Sequence, residues 1–430
     1  MSPSTSTGRR GINSLPAEVL LDIFEQYLKP GPVLDLQGAE RTLPALTPKD
    51  IEYIPGRGEN SPFVIDQVCG TWRQLARGYS GLYTDIHVVN PTPQDVARVR
   101  TMLELSKDRP LRVFLEVNEF PRIQLFTHRG GLQAEAMMAN ASADGDCLFP
   151  WHQIVKLVFA NAHRVEKLYL QVPVGPKWKG WDYTFPLGRD TDWDALAFPL
   201  LTTLHLQDKV SAFHASEDTF FKPLVTRACA TSPRLADMRL DKMFALVNII
   251  GQDSLNGLGP CASMIPWKNL TSLTISIQSV KEMLPILRLC PSLQELYLEP
   301  DMCWSSSTEE AVGEPVLLPN LWCLVLSVNG ESNDNTFLPL SYLRVPALKS
   351  LSLHTPGKRV LSGLDDTSNP PRKSVHLLGA LTAFHRLNPD CRIQTFSSFQ
   401  NWDPRDQEGY RQILSLPIFG DLISFKNQDS

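Results

Sequence analysis

Apolar positions along this chain follow two different periods. The first is helical. Between Leu15 and Leu28, residues Val19, Leu20, Ile23, Phe24, Tyr27 and Leu28 recur at three- and four-residue spacing, which predicts an amphipathic helix with a broad apolar face. Pro16 suits the first helical position, where its missing N–H is no loss, and Glu18 suits the positive end of the helix dipole. A second helix is predicted to open at Ser61-Pro62, a cap followed by a proline, and to carry Phe63, Val64, Val68, Cys69, Trp72 and Leu75. Two short helices cannot bury such faces in each other alone. One face must meet the rest of the chain or another protein.

The second period belongs to strands. A unit Pro-x-Leu-x-x-[Leu/Met]-x-Leu occurs at Pro199–Leu206, Pro233–Leu240, Pro291–Leu298, Pro319–Leu326 and Pro346–Leu353, with proline-free copies at Val165–Leu170 and Leu270–Ile275. The first apolar residues of the copies stand at 165, 201, 235, 270, 293, 321 and 348, so the spacing runs from 23 to 36 residues. Alternate residues of Leu-x-Leu face one side, as a short strand requires. Helix-like stretches such as Phe220–Cys229 and Val280–Leu289 precede several copies, and Pro233 or Pro291 then forces the chain to extend. Alternating strand and helix predicts right-handed crossovers and a parallel sheet, and the period predicts a solenoid. A conventional α/β domain with a flat parallel sheet is the other architecture that fits.

Flanking segments frame this array. Val96–Ser106 reads as a helix feeding a strand at Pro110–Val117, a first and poorly matching repeat. At the other end Leu377–Leu387 reads as a helix, Cys391–Phe396 as extended, and Pro404–Leu416 as a last amphipathic helix capped by Asp403. These would close the apolar end of the stack.

The helical start resembles an F-box. The residues that carry the likeness are Leu-Pro-x-Glu-Val-Leu-x-x-Ile-Phe-x-x-x-Leu at 15–28, then Val-Cys-x-x-Trp-x-x-Leu-Ala at 68–76, then Gly81-Leu82-Tyr83-Thr84-Asp85-Ile86. Tyr83 stands where Trp is usual, Gly70 where a basic residue is usual, and a Pro- and Gly-rich insertion at 29–60 replaces a short turn. The wider style is similar to F-box proteins of mushroom-forming fungi. The repeat resembles an irregular leucine-rich repeat that lacks the Asn after Leu-x-Leu, where Glu299-Pro300, His354-Thr355 and Ser276-Ile277 stand instead.

The resemblance implies a substrate-recognition subunit of an SCF-type cullin–RING ubiquitin ligase, binding the Skp adaptor through the F-box and a target protein through the repeats. It places Leu15, Pro16, Leu20, Ile23, Phe24, Val68, Cys69, Trp72 and Leu75 in the face for the adaptor or in the module's own core, without dividing them between the two. The expected organisation is a disordered leader at 1–11, F-box-like helices at 12–89, a repeat domain with a parallel sheet at 90–396, and a capping segment at 397–430. Outward positions of the repeat strands, Tyr169, His205, Arg239, Asp241, Tyr297, Glu299 and His354, are the candidates for target recognition. Tyr and Arg lead that group because they dominate interface hot spots. An aromatic insertion, with Trp178, Trp181, Tyr183, Phe185 and Trp193 within 176–193, is an alternative recognition loop or a cover for the sheet edge.

Composition narrows the alternatives. The 430 residues suggest about two or three domains. A formal net charge of −5 provides no global basic field for nucleic acid or anionic membrane. No apolar run approaches the ~18 residues of a membrane helix, and Met1–Arg10 lacks the apolar core of a secretory signal. The expectation is a soluble protein of the cytoplasm, the nucleus or both. Eight cysteines form no Cys-x-x-Cys pair, and most sit as small hydrophobes within apolar patterns. No nucleotide-, metal- or nucleophile-bearing motif is present, so no cofactor and no catalysis are expected. The rival functions are a non-catalytic repeat scaffold with a degenerate F-box-like cap and, further off, an enzyme with a deep polar-lined pocket in the sheet.

Overall fold

The computed structural model describes residues 12, 15–28, 61–116, 150–171, 192–207, 221–240, 265–277, 280–300, 314–327, 334–354, 373–397 and 407–420. The expected leader at 1–11, the insertion at 29–60, the aromatic residues Trp178–Phe185, and Asp241 and Asp403 lie outside the described residues. The protein is mixed α/β, with a large parallel sheet of ten strands and a second sheet of two. Its described residues fall into two compact units, one ending at Glu166 and the other starting at Lys167.

The first unit begins with three helices: α1 (Ala17–Leu28), α2 (Pro62–Val68) and α3 (Gly70–Gly78). The sequence pattern predicts one helix from Ser61 onward, and the structure has two. Cys69 breaks the run with an extended backbone (φ −162°, ψ 169°), and its Sγ accepts the Trp72 N–H at 3.5 Å to start α3. The all-helical expectation for 12–89 also ends early, because Asp85–Val89 is a strand, β1. The reason is periodicity: Ile86 and Val88 are buried while Asp85, His87 and Val89 are partly exposed, a two-residue alternation. β1 pairs in parallel with β2 (Leu111–Glu116), Ile86 opposite Val113 and Val88 opposite Leu115.

Between them lies α4 (Pro93–Leu105), which opens on a capping box. Thr92 accepts the Asp95 N–H while the Asp95 carboxylate accepts the Thr92 N–H at 2.9 Å, and Pro93 follows the cap. The far end of α4 is closed by Arg164. Its guanidinium donates to Ser106 Oγ at 2.6 Å, to the Leu103 carbonyl at 3.4 Å and to the Arg109 carbonyl at 3.2 Å. A buried cation on helix-terminal carbonyls satisfies orphan acceptors and complements the negative end of the dipole. α5 (Pro150–Ala160) packs on α4 and buries Ile154, Val155 and Val158 together with His152.

In the second unit the strands run β3 (Val165–Gln171), β4 (Thr203–Gln207), β5 (Asp237–Leu240), β6 (Ser272–Ile277) and β7 (Glu295–Pro300). They continue through β9 (Cys323–Ser327) and β11 (Ser350–His354) to β12 (Thr395–Ser397). The short β8 (Val316–Leu317) and β10 (Leu343–Arg344) pair with each other. Register aligns one leucine row across the sheet, Leu168, Leu204, Met238, Leu273, Leu296, Leu324, Leu351 and Phe396. All eight are buried. At ~25 cal/mol per Å² of apolar area, such a row supplies the main drive for stacking.

The backbone repeats as regularly as the leucines. The Thr202 carbonyl accepts the N–H groups of Ala236 and Asp237 at 2.9 and 3.1 Å, and the Ala236 carbonyl accepts those of Thr271 and Ser272 at 2.8 and 3.1 Å. Thr271, Gln294, Trp322 and Lys349 each repeat the arrangement toward the following strand. The last of these bonds go to Gln394 and Thr395, so Ile393–Phe396 is a further copy of the unit. The sequence pattern registers it only as extended, because its third apolar position is Ser398 rather than leucine. Helices α6 (Phe221–Thr231), α7 (Val280–Arg288) and α8 (Lys373–Leu387) precede β5, β7 and β12, whereas 3-10 turns precede β6 and β10. Helix alternation is therefore less strict than the spacing predicts. The final helix, α9, is Gln407–Leu414.

Asn388, 3% exposed, ties the end of α8 to β10. Its Oδ1 accepts the Val345 N–H at 2.5 Å, and its Nδ2 donates to the carbonyls of Leu343 and Phe384, both at 2.9 Å. Replacing Asn388→Ala strands buried backbone groups, and the expected loss is about 2–3 kcal/mol, read as a lower denaturant midpoint.

A second prediction concerns acid. Burial, with Lys156 adding to it, holds the His152 imidazole down to about 3. Its folded value lies below its unfolded one, so the unfolded chain binds the extra proton between those two pH values. Stability is then unaffected well above pH 6.5 and falls as pH drops below it toward 3, by up to about 1.4 kcal/mol per pH unit. In chemical denaturation across pH, His152→Leu is expected to flatten that acid limb.

Candidate functional site

α1 has two faces with different fates. Leu20 and Phe24 are buried, and the Phe24 ring meets the Trp72 ring of α3 at a centroid distance of 4.8 Å. Tyr79 donates from its hydroxyl to Glu25 Oε1 at 2.7 Å, a polar tie from the end of α3 to α1. On the adjacent flank Leu15, Val19, Ile23 and Tyr27 form a stripe at four-residue spacing, each exposed, with exposed Ile12 ahead of it. α2 repeats the division, with Ile65 buried while Val64 and Val68 are exposed. Nine large hydrophobic side chains are exposed among the described residues, and seven of them lie between Ile12 and Val68. Scattered exposure needs no explanation; this concentration marks a surface suited to contact.

A network centred on the buried Asp66 holds these helices in place. Asp66 of α2 is 4% exposed, and its carboxylate receives Arg77 Nε at 2.8 Å and the Tyr83 hydroxyl at 3.3 Å. Arg73 Nε donates to the Asp66 carbonyl at 2.9 Å. Burial first, and then the Asp66 charge, push the Tyr83 hydroxyl well above the usual phenol range, so it stays a donor. Tyr83 is thus a fully buried residue whose hydroxyl donates to Asp66.

The candidate residues for the helical face therefore separate. Leu15, Pro16, Ile23 and Val68 are exposed; Leu20 and Phe24 are core; Cys69, Trp72 and Leu75 are half-buried. Ile12, Val19, Tyr27 and Val64 also belong to the exposed set, outside the candidates drawn from the motif. The four-residue spacing from Leu15 through Tyr27 is the signal in the sequence that groups all four members of the stripe.

The second candidate surface is the outward face of the repeat strands. Register sets Tyr169, His205, Arg239, Thr274 and Tyr297 in one row. Glu299 pairs with Ser276 and His354 with Ser327 along the backbone; Asp241 lies outside the described residues. At the centre is Asp237, which the sequence analysis did not single out. It bonds to His205 Nε2 at 2.9 Å and receives Arg239 Nε at 3.3 Å, while the Tyr169 ring stands edge-on to His205 at 4.4 Å. Burial alone would raise the Asp237 carboxyl, but the charges and hydrogen bonds of His205 and Arg239 outweigh it and hold it well below the usual carboxylate range. Asp237 sits two residues before Arg239 on the same strand, so alternation placed both on one face.

No group of three or more His, Cys, Asp or Glu side chains with metal-holding geometry occurs among the described residues. The buried thiols of Cys229 and Cys290 are pushed up to about 12 by burial, which suits inert core residues rather than nucleophiles. No helix among the described residues is long and apolar enough to cross a membrane. No protein-family model matches the chain, and no curated protein matches it.

The split between core and surface on α1 is directly testable. Phe24→Ala removes a buried ring packed at a tilt against Trp72, and the expected cost is about 3–5 kcal/mol, seen as a marked fall in melting temperature. Ile23→Ser, one residue away, is expected to stay within ~0.5 kcal/mol of the parent.

Proposed function

We propose that the chain is an F-box-type substrate adaptor. Its helical module docks on the Skp adaptor of an SCF-type cullin–RING ubiquitin ligase, and its repeats, a solenoid of leucine-rich-repeat kind, hold a target protein. The observation that carries this reading is the exposed stripe of Leu15, Val19, Ile23 and Tyr27, joined by Val64 and Val68, on helices whose other faces are already used. Burying each such side chain against a partner is worth roughly 1.5–3 kcal/mol. Three or four of them suffice for a firm protein contact once the entropy of association is met.

The repeat surface fits the second half of the function. The outward row combines tyrosines, an arginine, a histidine and hydroxyls, a mixture that suits a protein partner better than a lipid or a nucleic-acid backbone. Function of this kind involves no bond-making by the chain itself. A tethered target reaches the ligase's transfer machinery at high effective concentration, and that is the whole contribution.

Ile23→Asp combined with Val68→Asp is the test of docking. Both side chains are exposed, so the variant should keep the parent melting temperature while losing Skp in a pull-down by at least 100-fold. Full retention of Skp would overturn the reading. For the repeat half, Arg239→Ala with Tyr297→Ala should cut capture of whatever target co-purifies by tenfold or more, with Skp binding unchanged. Loss of the target on mutating Trp178 and Trp181, with no effect at Arg239 and Tyr297, would move recognition to the aromatic insertion.

A further inference from the structure

We draw no further inference here: the strongest candidate, the Tyr169–His205–Asp237–Arg239 cluster on the outward face of β3, β4 and β5, belongs to the surface already described, pairs its own charges with side chains only 13–22% exposed at His205, Asp237 and Arg239, and nothing among the described residues shows what covers it.

Discussion

From β5 to β12, two N–H groups of each repeat converge on one carbonyl of the repeat before it, and the same leucine row closes over that bond from within. Neither element is stable alone. A four- or five-residue strand such as β5 has too few hydrogen bonds to persist, and a lone Leu-x-Leu leaves its apolar side in water. Stacked in register from β3 to β12, each strand satisfies the polar edge of the last and buries its leucines against the same row. The repeat spacing can then vary widely, because only this rung must be conserved in geometry. Excursions between rungs are free to be a helix before β7 or a 3-10 turn before β6.

Outward positions on these strands inherit their arrangement from the rung rather than from any local preference. Parallel strands lie about 4.8 Å apart, so residues that are 36, 34 or 35 positions apart in the chain become lateral neighbours. Tyr169 meets His205 for that reason alone, and His205 reaches diagonally to Asp237, whose own lateral neighbour is Thr203. Asp237 then orders an imidazole and a guanidinium around itself, and together they hold its carboxyl well below the usual carboxylate range. A preorganised set of side chains loses less entropy on meeting a partner than a flexible one.

The helical unit obeys a different constraint: too little partner surface for the apolar residues it carries. Phe24 and Trp72 use one face of α1, and the Asp66–Arg77–Tyr83 network fixes the helices around it. What remains is a stripe with no core left to enter. A half-exposed ion pair such as Asp66–Arg77 adds little net stability, but a buried carboxylate that must keep its partners penalises other arrangements, and the arrangement it favours leaves Ile23 and Val68 facing outward.

The sequence by itself determined the parallel sheet, most of its strands and the helix at α1, because each is written in a short period of apolar residues that local geometry must obey. The Leu-x-Leu units located seven strands, and the three- and four-residue spacing located α1. Local pattern could not reveal that Ile393–Phe396 is one more rung, which depends on the Lys349 carbonyl that bonds to it; the helix break at Cys69 and the strand at 85–89 are short-range features that the longer apolar spacing overlooks. Tertiary structure alone also decided which apolar residues are core. Leu20 and Ile23, or Phe24 and Val68, are all apolar in a sequence, and only the packing of α1, α2 and α3 on one another separates buried from exposed. Asp237 escaped notice for the same reason: a carboxylate on a strand is ordinary until a fold brings His205 and Arg239 to it.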